Sequence, residues 1–263
     1  MTALPSPTYA RCPKCDHAPL PHDQSFPAAC PDCGLILAKF SAAPTAADLR
    51  AQNAAEDEAE KAHGWRARAM AALTHVPDRV DPITFWTRVG VLVLFTLWSI
   101  SLIGANIRTG EIFNTFLHKP LLVFHEAGHV IFMLFGEFIS VAGGTLGQLI
   151  LPVVLMVALL KKGDAFGGAI GFWLLGVSVL DVAPYVYDAK EPYLVLLGGH
   201  TGEEGGHDWI YLLSHIGLRE YSQSLGWWIH KLGALMVLAA LGWGGWLLLQ
   251  QKSRLGETPE DRP

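Results

Sequence analysis

From residue 89 onward the chain is written in long apolar runs separated by short polar breaks. Five stand out: Val89 to Ile107, Pro120 to Ile139, Gly143 to Leu160, Ala165 to Pro184 and Leu232 to Leu249. Each approaches the ~20 residues that a helix needs to cross ~30 Å of hydrocarbon. Trp227 and Trp228 stand before the last run, as interfacial aromatics do. The second run is broken in its middle by His125, Glu126 and His129, and near its end by Glu137, read as a helix end at the interface. Residues 1–80 have no such runs. The pattern predicts a mainly α protein: a polytopic membrane helix bundle of about five apolar segments, preceded by a small zinc ribbon and a helical linker.

Four stretches follow from this reading: 1–42 ribbon-like, 43–80 a polar Ala-rich linker, 81–252 the membrane-embedded part, and 253–263 a polar tail. Composition supports the membrane assignment, with 51% hydrophobic and only 16% charged residues and a mean hydropathy of +0.31. So few charges could not clothe a soluble chain of this size. A net charge of -5 gives no reason to expect nucleic-acid binding.

Met1 to Ala10 carries two prolines and no apolar core, so no signal peptide is read and the N-terminus is expected in the cytoplasm. Basic residues leave the orientation of the bundle tied. With five crossings, Arg66, Arg68, Arg79, Arg88, Lys190 and Arg219 fall on one side, and Arg108, Lys119, Lys161, Lys162, Lys252 and Arg254 on the other. A re-entrant hairpin over 142–152, favoured by Gly143-Gly144 and Pro152, would break the tie.

Cys12-Pro-Lys-Cys15 and Cys30-Pro-Asp-Cys33 form two CxxC pairs. In a reducing compartment such pairs read as a structural zinc site rather than disulfides, with four thiolates around one metal. Pro13 and Pro31 stiffen the two knuckles, and Gly34 suits the positive φ that follows such a turn. Four thiolates leave no open position for substrate, so the ribbon is expected to recognise a cytoplasmic protein partner.

His125-Glu126-Ala127-Gly128-His129 has the form H-E-x-x-H. Histidines at i and i+4 share a helix face and can bind one zinc ion, and the glutamate beside the first can act as general base on a metal-bound water. Ionisable groups inside an apolar run are costly and functional by default. His200, His215 and His230 are isolated and read as surface or interfacial residues.

The run Phe124-His125-Glu126-Ala127-Gly128-His129-Val130 resembles the active-site helix of the site-2 protease family of intramembrane zinc metallopeptidases. Gly143-Gly144-Thr145-Leu146-Gly147-Gln148 occupies the place of that family's Gly-rich stretch, with Gln148 where an Asn would sit. Leu180-Asp181-Val182-Ala183-Pro184 resembles its Asn-x-x-Pro stretch, with Asp181 in place of Asn. The family's Leu-Asp-Gly, whose Asp is the third zinc ligand, is missing.

The resemblance implies a divergent, bacterial inner-membrane peptidase that cleaves membrane-associated or transmembrane protein substrates, with Gln148 bonding the extended substrate backbone. It also sends the search for a third zinc ligand to the segments after the motif. Asp208 is preferred, because a Gly-rich approach and an apolar helix flank it; Asp181, Asp188 and His207 are the alternatives. The competing reading is a non-catalytic zinc-binding membrane protein, a sensor or assembly factor. A fourth protein ligand closing the metal sphere would favour it.

Overall fold

The computed structural model describes residues 9–25, 27–37 and 64–255. The chain divides into two compact units, Met1–Trp65 and Arg66–Pro263. In the first, both CxxC segments form knuckles of one design. The backbone N–H of Asp16 donates to Cys12 O at 2.9 Å, and that of Gly34 to Cys30 O at 3.0 Å. Asp16 and Gly34 both take positive φ, 59° and 69°, as each turn closes. An antiparallel bridge pairs Ala29 with Ile36. Residues 43–63 of the expected linker lie outside the described residues.

Among the described residues the second unit holds seven α-helices: α1 (Trp65–Thr74, its first residue counted with the other unit), α2 (Pro82–Gly104), α3 (His118–Phe132), α4 (Glu137–Lys161), α5 (Ala165–Asp188), α6 (Asp208–His215) and α7 (Ser222–Lys252). No strand forms among the described residues. Four helices, α2, α4, α5 and α7 with the turn before it, are long and apolar enough to cross a membrane. Their outward faces carry unburied Val93, Leu97, Ile100, Val154, Leu235 and Leu238, a surface suited to lipid.

The second apolar run does not form a fifth helix of crossing length. Gly136 adopts φ 94° and divides it into α3, only 15 residues long, and the start of α4. Glu137 therefore opens a helix rather than closing one. No hairpin forms over 142–152: α4 runs unbroken for 25 residues, with Pro152 inside it. Gly143 and Gly144 serve close packing instead. A side chain on Gly128 of α3 would overlap the Gly143 carbonyl, and one on Gly147 would lie 2.6 Å from Phe124 O. Small residues let membrane helices approach this closely. Central α5 uses the same device, with Gly176 against Val237 N of α7 and Gly233 of α7 against Leu180 N, each place leaving a methyl only 2.8–2.9 Å of room.

The crossing helices meet in two sets of ends. At one, Arg88 of α2 donates to Asp164, the N-cap of α5, and to Gln251 of α7, both at 3.1 Å. Trp243 Nε1 donates to Leu73 O, and Arg254 to Val76 O. Residues 66–80, expected as linker, are thus tied to the bundle. At the opposite end, Arg219 before α7 donates to Ala189 O after α5 at 2.8 Å.

Candidate metal centre

Two groups of metal-ligating side chains converge among the described residues. The first is Cys12, Cys15, Cys30 and Cys33. Cys12 Sγ lies 3.6 Å from Cys33 Sγ, and Cys15 Sγ 3.7 Å from Cys30 Sγ. Four sulfurs each ~2.3 Å from a tetrahedral zinc would be about 3.8 Å apart. Burial pushes the Cys12 thiol up, but N–H groups of Lys14 and Cys15 outweigh this and bring it down to about 6. This four-cysteine group can bind a metal ion such as zinc.

The second group is His125, His129 and Asp208, whose ligand atoms all lie within 4.8 Å of one another. Both histidines come from α3, one turn apart. Asp208 is the first residue of α6, and its Oδ2 is 2.8 Å from His125 Nε2 and 3.3 Å from His129 Nε2. Donors ~2.0–2.2 Å from one tetrahedral zinc stand about 3.3 Å apart, so the three suit such an ion. Burial raises the Asp208 carboxyl, and the histidine hydrogen bonds overcome that and hold it below the ordinary carboxylate range.

The surroundings aim these atoms. The second ring nitrogen of each histidine faces away from the cluster. His129 Nδ1 is 2.9 Å from Ser140 O of α4, and His125 Nδ1 is 3.4 Å from Gln148 Oε1. Gln148 Nε2 donates to Asp181 Oδ2 at 2.8 Å, which fixes which end of the amide meets His125. Asp181 in turn sits 2.9 Å from His118 Nδ1. A chain His118–Asp181–Gln148–His125 therefore runs through three helices. It holds His125 with Nδ1 as donor and Nε2 toward the cluster, the arrangement a supported metal ligand needs. Gly144 completes the fit, since a Cβ there would lie 2.5 Å from both Nε2 atoms.

Four of the expected residues have protein partners of their own. Gln148 lines the cavity at the cluster but is buried, with both ends of its amide engaged by protein, so its contacts here are with His125 and Asp181. Asp181 is occupied by His118 and Gln148. Asp188 accepts from Tyr193 N at 2.8 Å, and its Oδ2 lies 3.4 Å from buried His207 Nε2 without hydrogen-bond alignment. His207 is itself the N-cap of α6, its Nδ1 accepting from Ile210 N, which leaves the carboxylate of Asp208 free of that duty.

Sequence reading missed His118, Tyr185 and Ser140. Tyr185 accepts the Asp208 N–H at 3.0 Å and stacks on His207, ring centroids 4.2 Å apart. One signal existed: Tyr185 stands four residues after Asp181, on the same face of α5.

A cavity of about 580 Å³ opens on the cluster, lined by His125, Glu126, His129 and Asp208 and by Leu196, Leu197 and His200 from the loop after α5. His200, read as isolated, belongs to this wall. No family model, curated protein or solved structure matches the chain.

Proposed function

We propose that the chain is a membrane-embedded zinc metallopeptidase acting on membrane-associated or transmembrane protein segments. The observation that carries the reading is the convergence of His125, His129 and Asp208 on one point beside a cavity that Glu126 also lines. Three protein ligands and an open side are the donor set of catalytic rather than structural zinc. Among the described residues no fourth side chain joins the group, which speaks against the sensor or assembly-factor alternative.

A zinc ion held by these three residues would polarise a scissile carbonyl and make water acidic enough to attack near neutral pH. Glu126 follows His125 directly and stands on the cavity wall, where its carboxylate takes a proton from the attacking water and passes it to the leaving amine as the C–N bond breaks. Ser140 and the His118–Asp181–Gln148 chain keep the two imidazoles in one tautomer. Tyr185 and His207 hold the start of α6, and with it Asp208. A substrate helix must unwind to present its carbonyl, because its backbone groups are otherwise satisfied internally.

The test is Glu126→Gln in purified protein reconstituted in lipid. Cleavage of a single-span model substrate should vanish while zinc content stays at the level of the unaltered chain. Undiminished cleavage would end the peptidase assignment.

A further inference from the structure

The helix ends resolve the orientation that basic residues left tied in the sequence. α3 is too short to count among the crossing helices, so every later segment changes sides relative to a five-crossing count. The contacts say which ends lie together. Arg88 bonds Asp164 and Gln251, Arg254 bonds Val76 O, and a side chain on Gly163 would stand 3.5 Å from His75. The start of α2, the α4–α5 turn and the end of α7 therefore share one end of the bundle. Arg66, Arg68, Arg79, Arg88, Lys161, Lys162, Lys252 and Arg254 all belong to it.

The remaining basic residues of the described bundle are Arg108, Lys119, Lys190, Arg219 and Lys231, toward the other end. The distribution is eight against five, where five crossings gave a tie without Lys231 and seven against six with it. Lys and Arg close to short loops select the cytoplasmic side.

The cluster sits at the less basic end. Asp208 N donates to Tyr185, in the last turn of α5, and His129 meets Ser140, in the first turn of α4. The loop that walls the cavity joins the end of α5 to α6, and Arg219 ties the same region to the start of α7.

We infer that the eight-residue basic end faces the cytoplasm and that the metal cluster and its cavity open at the extracytoplasmic end of the bundle. The substrates would then be polypeptide segments presented at the outer membrane surface or in the outer part of the bilayer. The substrate class rests on the peptidase reading, and the orientation does not.

Single cysteines placed in the full chain test it. Glu203→Cys and Glu220→Cys report on the cavity end, Lys162→Cys and Gln250→Cys on the basic end; all four positions are exposed. Intact cells are treated with a membrane-impermeant maleimide, with the parent chain and its own four cysteines as baseline. Positions 203 and 220 should label at least ~10-fold above the parent in intact cells, while 162 and 250 rise above it only after permeabilisation. Labelling of 162 and 250 in intact cells, or failure of 203 and 220 to exceed the parent there, overturns the orientation. Labelling needs no turnover, so an inactive protein would leave this result standing, and a reversed orientation would leave the peptidase reading standing.

Discussion

Replacing Gly144 with alanine puts one methyl group where the histidine nitrogens converge. The added carbon would lie 2.5 Å from His125 Nε2, 2.5 Å from His129 Nε2 and 2.6 Å from His129 Cε1. Non-bonded carbon contacts settle at ~3.5 Å or more, so the rings must retreat by roughly 1 Å. Zinc coordination tolerates only about ±0.2 Å. Loss of ligand support alone costs ~10–100-fold in affinity, and displacing two ligands together should cost at least ~100-fold.

The same change should not harm α4 itself, because alanine is favoured over glycine in a helix by roughly 1 kcal/mol. Gly144→Ala should therefore lose zinc at the membrane site with helicity and melting temperature kept. Gly147→Ala makes the contrast. Its methyl meets backbone, Phe124 O at 2.6 Å and Gly128 Cα at 2.8 Å, and must part α3 from α4, so zinc and melting temperature should fall together. Chelator competition, elemental analysis and circular dichroism read these outcomes. A Gly144→Ala protein that holds zinc as tightly as the parent would refute the claim that the ring nitrogens share a metal there.

Three further outcomes are expected. Asp208→Ala should weaken zinc at the membrane site by at least ~10-fold, and Asp181→Ala by less, since Asp181 acts on His125 only through Gln148; equal losses in a chelator titration would reverse their roles. Replacing Cys12 and Cys30 with Ser should remove one zinc equivalent and unfold the ribbon while the membrane site keeps its metal, because metal and fold are coupled in small zinc units. Elemental analysis that finds both sites empty would contradict this independence. Arg88→Met should lower the melting temperature of the reconstituted protein, as it leaves the partly buried Asp164 and buried Gln251 without their guanidinium; an unchanged melting temperature would show the three-helix clasp to be idle.

Local rules exposed much of this in the sequence. The CxxC knuckles and the H-E-x-x-H spacing are short-range patterns, and their geometry follows from one turn of chain. Asp208 was reachable because a Gly-rich approach and a helix start are also local. The break at Gly136 was hidden, since apolar residues flank it on both sides and only a backbone angle separates α3 from α4. His118 was hidden for the opposite reason. It sits in a polar-looking stretch, and its meaning lies in a partner 63 residues away. An unpaired Asp181 within an apolar helix did demand such a partner, so the need was visible even though its answer was not. The family resemblance suggested only an outward duty for Gln148, whereas its contacts with His125 and Asp181, which decide the amide's orientation, depend on tertiary packing.

The shortness of α3 bears on the bilayer itself. Its 15 residues make a rod about 22 Å long at 1.5 Å per residue, and the 3-10 turn Met133–Phe135 that continues it adds about 6 Å, against ~30 Å of hydrocarbon. Lipid beside this helix meets Val123, Val130 and Ile131, all more than 60% exposed, over a shorter apolar height than the neighbouring crossings offer. A membrane accommodates a short wall by thinning, at fractions of a kcal/mol per Å. Thinning of this kind would bring headgroups and their hydration down toward the motif helix. On the peptidase reading, hydrolysis would consume one water per bond cut, and such a mismatch would supply it without a dedicated channel through the bundle.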